Sequence, residues 1–122
     1  MSESNVELAR RGYEAIMRGD LDAISDLLDP DVKWHGGDPS DGCQNRTQTL
    51  GWMRRNWTRR GGPRAELVDM IDAGDRVVVI MRRMGEDGEP ELVANLTTFR
   101  DGKVVEMVHY PNPDDARAAA GL

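Results

Sequence analysis

The stretch from Arg76 to Pro111 constrains the fold more than any other part of the chain. Three apolar runs follow one another there: RVVVIMRRM, ELVANLTTF and KVVEMVHY. Gly85-Glu86-Asp87-Gly88-Glu89-Pro90 separates the first two, and Arg100-Asp101-Gly102 the last two. Each run has strand length and is rich in β-branched residues. Joined by turns this short, neighbouring strands pair antiparallel in chain order. Two polar residues, Asn95 and His109, interrupt the second and third runs where a purely structural sheet more often carries Val or Leu.

Arg64 to Asp72 reads as a further strand, and Ala73-Gly74-Asp75 turns it into the meander. Ahead of it the apolar spacing is helical. Ser4 and Glu7 form a capping box, and Val6, Ala9, Tyr13, Ile16 and Met17 share one face. Gly19 ends that helix. Asp20 caps a second, whose stripe is Leu21, Ile24, Leu27 and Leu28, with Pro30 beyond it. Asp31 to His35 is a short strand, and Gly36 to Gly42 a loop. A third helix, capped by Thr47, carries Leu50, Met53 and Trp57 on one face and ends at Gly61-Gly62-Pro63. Past Pro111, Asp114 is placed to cap a short terminal helix. Helices early and strands late favour α+β over a parallel βαβ sheet. The expected form is a curved antiparallel sheet packed on three N-terminal helices through Tyr13, Ile16, Met53 and Trp57.

With 122 residues, 1–122 make one domain with a real core. A net charge of −6 argues against nucleic acid as the main partner, because phosphate binding needs a basic stripe. The Arg54, Arg55, Arg59, Arg60 cluster reads instead as a solvated helix end. No apolar run approaches the roughly 20 residues of a membrane span, so no membrane partner is expected. MSESNVELARR has no apolar signal core, and the lone Cys43 fits a reducing setting, so a cytoplasmic location is expected. Only His35 and His109 offer imidazole, on strands that set them on different faces, and no metal or cofactor is expected.

The stretches GYEAIMRGDLDAISDLLDPDVKW, VDMIDAGDRVVVIMRR and FRDGKVVEMVHYPNPDDARAAAGL resemble the SnoaL-like branch of the nuclear-transport-factor-2-like superfamily. That resemblance implies a cone: a curved sheet closed by helices, an apolar pocket inside, and frequent homodimers. The superfamily holds isomerases, cyclases, epoxide hydrolases, dehydratases and ligand binders, so fold does not settle activity. Steroid-isomerase relatives place a carboxylate base just after the first strand, where this chain has Gly36. Their tyrosine donor in the first helix falls near Tyr13. Their second donor, a protonated acid on the penultimate strand, falls on Asn95, whose amide donates a hydrogen bond without any pKa shift. SnoaL-like cyclases carry a carboxylate late in the last strand, three residues after a Glu; the corresponding residues here are His109 and Glu106. The Asp-Arg-Asp arrangement of the epoxide hydrolases is not evident.

Asn95 and His109 form one site only if they share a face, and the hairpin between them decides this. A two-residue turn at Asp101-Gly102 sets Arg100 opposite Lys103 and sends the pair to opposite faces. A three-residue loop sets Phe99 opposite Lys103 and aligns both with Val93, Thr97, Val105 and Met107; the resemblance favours this register. Trp34 and Met107 then join Tyr13, Met53 and Trp57 as candidate ligand contacts. Met17, Met53, Met70, Met81 and Met107 suggest a soft lining suited to a small apolar or aromatic molecule.

Two functions follow from one pocket. As an enzyme, His109 takes a proton next to a carbonyl and Asn95 holds the enolate oxygen, with Tyr13 as a further donor, for isomerisation or cyclisation. As a binding module, the same pocket holds a ligand without chemistry. A third expectation is a partner-binding convex sheet face bearing Leu92, Leu96, Val108 and Tyr110.

Overall fold

The computed structural model describes residues 4–35, 42–60, 66–85 and 87–122, with only the backbone for 56–60. The expected loop at 36–41, the Gly61-Gly62-Pro63 helix stop and the side chain of Trp57 lie outside the described residues. Helices α1 (Asn5–Arg18) and α2 (Leu21–Leu27) lead into β1 (Leu28–His35) and α3 (Arg46–Arg60). Strands β2 (Glu66–Ala73), β3 (Arg76–Met84), β4 (Pro90–Arg100) and β5 (Lys103–Tyr110) follow, then α4 (Pro113–Ala119).

The helix ends follow from local hydrogen bonding. Ser4 Oγ accepts from Glu7 N, Asp20 Oδ1 accepts from Ala23 N, and Gly19 closes α1 at φ 70°. Two caps differ from expectation. Asn45, not Thr47, starts α3, its Oδ1 accepting from Gln48 N at 2.9 Å. Asn112, not Asp114, starts α4, its Oδ1 accepting from Asp114 N at 2.9 Å with Pro113 next to it. In both cases an Asn with extended backbone freedom stands just ahead of the expected cap and takes the orphan N–H first.

The sheet runs β1-β5-β4-β3-β2. Strands β2 to β5 form the expected antiparallel meander, while β1 adds to the far edge parallel to β5. It starts three residues earlier than the expected Asp31, and Pro30, which lacks an N–H, is tolerated on an edge strand.

Helices α1, α2 and α3 cover one face. Leu8, Ala15, Ile24, Leu27, Val32, Met53, Val77, Val79, Phe99 and Val104 form the core there. On the other face, Val78, Ile80, Ala94 and Leu96 pack under Ala116 of α4, with Ile71 and Tyr110 at the margin. Covered on both sides, β3 is buried continuously from Val77 to Ile80, which explains its unbroken VVVI. Arg76 Nη1 donates to Ala119 O at 3.1 Å and ties the end of α4 to β3. The expectation of a convex face exposing Leu92, Leu96, Val108 and Tyr110 is corrected in part by this helix. Leu96 is buried and Tyr110 half-buried beneath it, while Leu92 (45 % exposed), Val68 (43 % exposed) and Met84 at the end of β3 stay open. Among the described residues, no helix is long and apolar enough to cross a membrane.

Candidate functional site

The hairpin geometry combines features that the two expected registers kept apart. Asp101 (φ 53°) and Gly102 (φ 78°) make a two-residue turn, and Arg100 stands opposite Lys103. Positive φ at both central positions is the type I′ arrangement, which Asp-Gly readily adopts. By itself this turn would separate Asn95 from His109. The ladder then slips, however: Phe99 faces Val104, but Thr98 faces Glu106, so Val105 is an extra residue in β5. That bulge inverts the alternation beyond it and sets Asn95 directly opposite His109. Val105 therefore does not share their face as expected. Val104 does, lining the same cavity as Asn95, Thr97 and Met107.

His109 Nδ1 lies 3.2 Å from Asn95 Oδ1. A carbonyl oxygen only accepts, so Nδ1 carries the hydrogen and donates it, and Nε2 keeps the lone pair. Burial, reinforced by the positive charge of Arg83 and opposed by the negative charge of Glu91, lowers the His109 pKa below the ordinary histidine value of 6.5. The ring is thus mainly neutral at pH 7 and available as a base. Asn95 retains its amide N–H donors at the edge of the cavity.

That cavity lies between the concave sheet face and the helices. Its volume is about 90 Å³, and Leu8, Ile16, Leu27, Met53, Met81 and Phe99 are among its apolar walls. Drug-sized sites usually span about 300–1,000 Å³, and an apolar void of about 150 Å³ holds benzene. The space therefore suits a very small apolar group, unless the unbranched side chains of Met53, Met81 and Met107 swing aside to enlarge it. Met70 packs against the surrounding core instead, and Met17 points outward, 41 % exposed.

The other candidate residues divide in two groups. Tyr13, Met53 and Met107 line the cavity with Asn95; His109 and Trp34 do not. His109 stands beside Asn95, beyond Met107 on β5. The Tyr13 hydroxyl accepts a hydrogen bond from Leu67 N at 2.9 Å, fastening α1 to β2. Trp34 pairs with Met107 across β1 and β5 and meets Trp52 edge to face, with centroids 4.3 Å apart at 80°. Its Nε1 is buried without a partner among the described residues, which costs about 1–3 kcal/mol. His35 projects to the opposite side, where Nε2 lies 3.5 Å from Glu106 Oε2. Among the described residues, no three His, Cys, Asp or Glu side chains gather into a metal site. Gly36, at the position where steroid-isomerase relatives carry their base, lies outside the described residues.

Thr97 and Met81, expected on the pocket face and in its lining, do line the cavity. Sequence reasoning missed Arg83 and Glu91 as neighbours of His109; simple alternation along β3 and β4 would have found both, because each stands an even number of residues from Val79 or Asn95.

The SnoaL-like domain profile matches residues 9–107. This chain belongs to the SnoaL-like domain family. No curated protein matches it significantly. Among solved structures, Bal32a from a soil-derived mobile gene cassette is 26% identical, with 87% of each chain covered and a TM-score of 0.76. A putative polyketide cyclase from Sinorhizobium meliloti is 21% identical over 84% of this chain and 93% of its own, with a TM-score of 0.73. TerC, co-crystallised with polyporic acid, is 22% identical over 97% of this chain and 98% of its own, at 0.72. Within the family, then, the chain has the curved α+β sheet of its nuclear-transport-factor-2-like and cystatin-like neighbours.

Proposed function

We propose that this SnoaL-like protein binds a small apolar or aromatic carbonyl compound and catalyses its isomerisation or cyclisation without metal or organic cofactor. The observation that carries this is the His109–Asn95 pair, 3.2 Å apart, in which Asn95 lines the apolar cavity and His109 stands beside it. His109 Nε2 takes a proton from the carbon next to the carbonyl. The electron pair of the broken C–H bond moves into an enolate, whose oxygen receives a hydrogen bond from the Asn95 amide. Return of the proton from the imidazolium to another carbon completes an isomerisation; in a cyclisation the enolate carbon attacks a second carbonyl, whose π pair moves onto its oxygen, and that alkoxide takes the proton from the imidazolium. A polyketide-cyclase neighbour and one crystallised with polyporic acid are consistent with such substrates.

Exchange of the acidic protons of 2-indanone in D2O, followed by NMR, tests this without knowledge of the natural substrate. Wild type accelerates exchange, His109→Ala abolishes the acceleration, and Asn95→Ala reduces it. Equal rates for wild type and His109→Ala would remove the mechanism. The second reading, a non-catalytic binding module, is favoured by Gly36 at the position of the steroid-isomerase base. It predicts that 2-indanone raises the unfolding temperature with no acceleration of exchange.

We also infer a homodimer that covers Val68 and Leu92 on the convex face. Light scattering that finds a monomer at all concentrations would exclude it. The single Cys43, buried, suits action in the cytoplasm.

A further inference from the structure

We infer that the ligand carries an anionic head group, a carboxylate, which Arg83 holds at the His109 end of the cavity. This rests on the reading of the concave cavity as a ligand site. On β3, Val77, Val79, Met81 and Arg83 alternate onto one side; the first two join the concave core and Met81 lines the cavity. Arg83 is thus the next inward position beyond a wall residue. Opposite it, Glu91 shares a side of β4 with Val93 and Asn95. Both charges also act on His109, so the guanidinium, the carboxylate and the imidazole occupy one neighbourhood.

The guanidinium is held but not saturated. Its Nε donates to Glu91 Oε1 at 2.9 Å, and among the described residues neither Nη has a partner. Glu91 therefore fixes the plane of the group while the two-nitrogen end stays open, and that end matches a carboxylate with two parallel hydrogen bonds. Arg82, the neighbouring residue, shows the contrasting arrangement. It points to the other side of the sheet and lies 3.7 Å from Glu66, away from the cavity. An apolar enclosure with an open guanidinium one inward strand position beyond its wall suits an amphipathic acid: hydrocarbon or aromatic body inside, carboxylate reaching out past Met81. The bound carboxylate also stands near His109, where its negative charge favours the protonated ring and counters burial and Arg83. The ligand thereby strengthens the base that is to act on it.

Benzoate and benzamide, similar in shape and different in charge, test this by NMR titration of the full chain. Benzoate is expected to bind about tenfold more tightly than benzamide in wild type. Arg83→Gln is expected to bring that ratio close to one, with the dispersion of its NMR spectrum showing that the variant is folded. Arg83→Lys retains part of the preference. In wild type, benzoate shifts the titration of the His109 ring to higher pH and benzamide does not. Equal affinities in wild type, or an unchanged ratio in Arg83→Gln, would overturn the inference and leave the cavity reading standing. Absence of binding by both compounds would overturn both.

Discussion

The two faces of the one sheet are built from the same strands and end differently. On the convex side, Val78, Ile80, Ala94 and Leu96 are buried with the small Ala116 of a seven-residue helix, and an open groove of about 360 Å³ remains beside that helix among Val68, Ile80, Leu92, Pro113 and Arg117. On the concave side, Val79, Met81, Thr97 and Phe99 meet α1 and α2 across Ala9 and Gly12, and about 90 Å³ stays open. The polar breaks Asn95 and His109 both stand on the concave side of their strands. Strand alternation distributes residues equally to both faces, so the difference comes from what covers each one. A short, small-faced helix can approach a sheet closely, but only over its own width, and leaves an open groove at its side. Longer helices that must also pack on one another leave a gap, and polar side chains at its rim can then meet a ligand.

The sharpest way to break this asymmetry is to shift the end of β5 by one residue. Insertion of one Ala between Glu106 and Met107 inverts the alternation beyond it and sends Met107 and His109 to the convex side. Loss of about 3 kcal/mol or more is expected in chemical denaturation, together with loss of the NMR contact between His109 and Asn95. Next comes a comparison of the two faces by truncation. Leu96→Ala under α4 is expected to cost about 2–5 kcal/mol, and Met107→Ala, half-exposed beside an existing void, about half as much. Equal costs would mean that the concave face is as tightly packed as the convex one. Tyr13→Phe removes the hydroxyl that accepts from Leu67 N, and a loss of about 1–2 kcal/mol is expected in the same measurement.

The smallest effect concerns pH. His109 holds its proton less well folded than unfolded, because burial and Arg83 disfavour the imidazolium. The unfolded chain therefore binds more protons as pH falls through about 6.5, and stability declines from there down through the lower folded-state pKa, then levels off. Above about pH 6.5 this contribution is fully present. His109→Gln is expected to flatten that part of the stability curve, measured by denaturation at several pH values. An unchanged slope would show that His109 is not held neutral by its surroundings.

Much of the fold was legible because its signals are local and repeated. Apolar period 3.6 marked α1 and α2, apolar runs bounded by Gly and Asp marked β2 to β5, and their order selected α+β. The two shifted caps, Asn45 and Asn112, show the limit of such signals: several cap residues stood close together, and backbone conformation chose between them. For the site, Asn95, Tyr13, Met53 and Met107 were visible as candidates and do line the cavity, whereas Trp34 packs on Trp52 outside it.

What residue order by itself determined was that Asp101-Gly102 makes a tight turn and that Asn95 and His109 are polar breaks in apolar strands. Their meeting was decided only in three dimensions. Val105 carries no mark of a bulge; it is a good strand residue between two others. It is left over because Phe99 and Val104 close the cavity floor together while Met107 must still face inward beside Thr97. Satisfying both contacts takes one residue more on β5 than on β4. That requirement belongs to packing across strands and helices, and no window of sequence contains it.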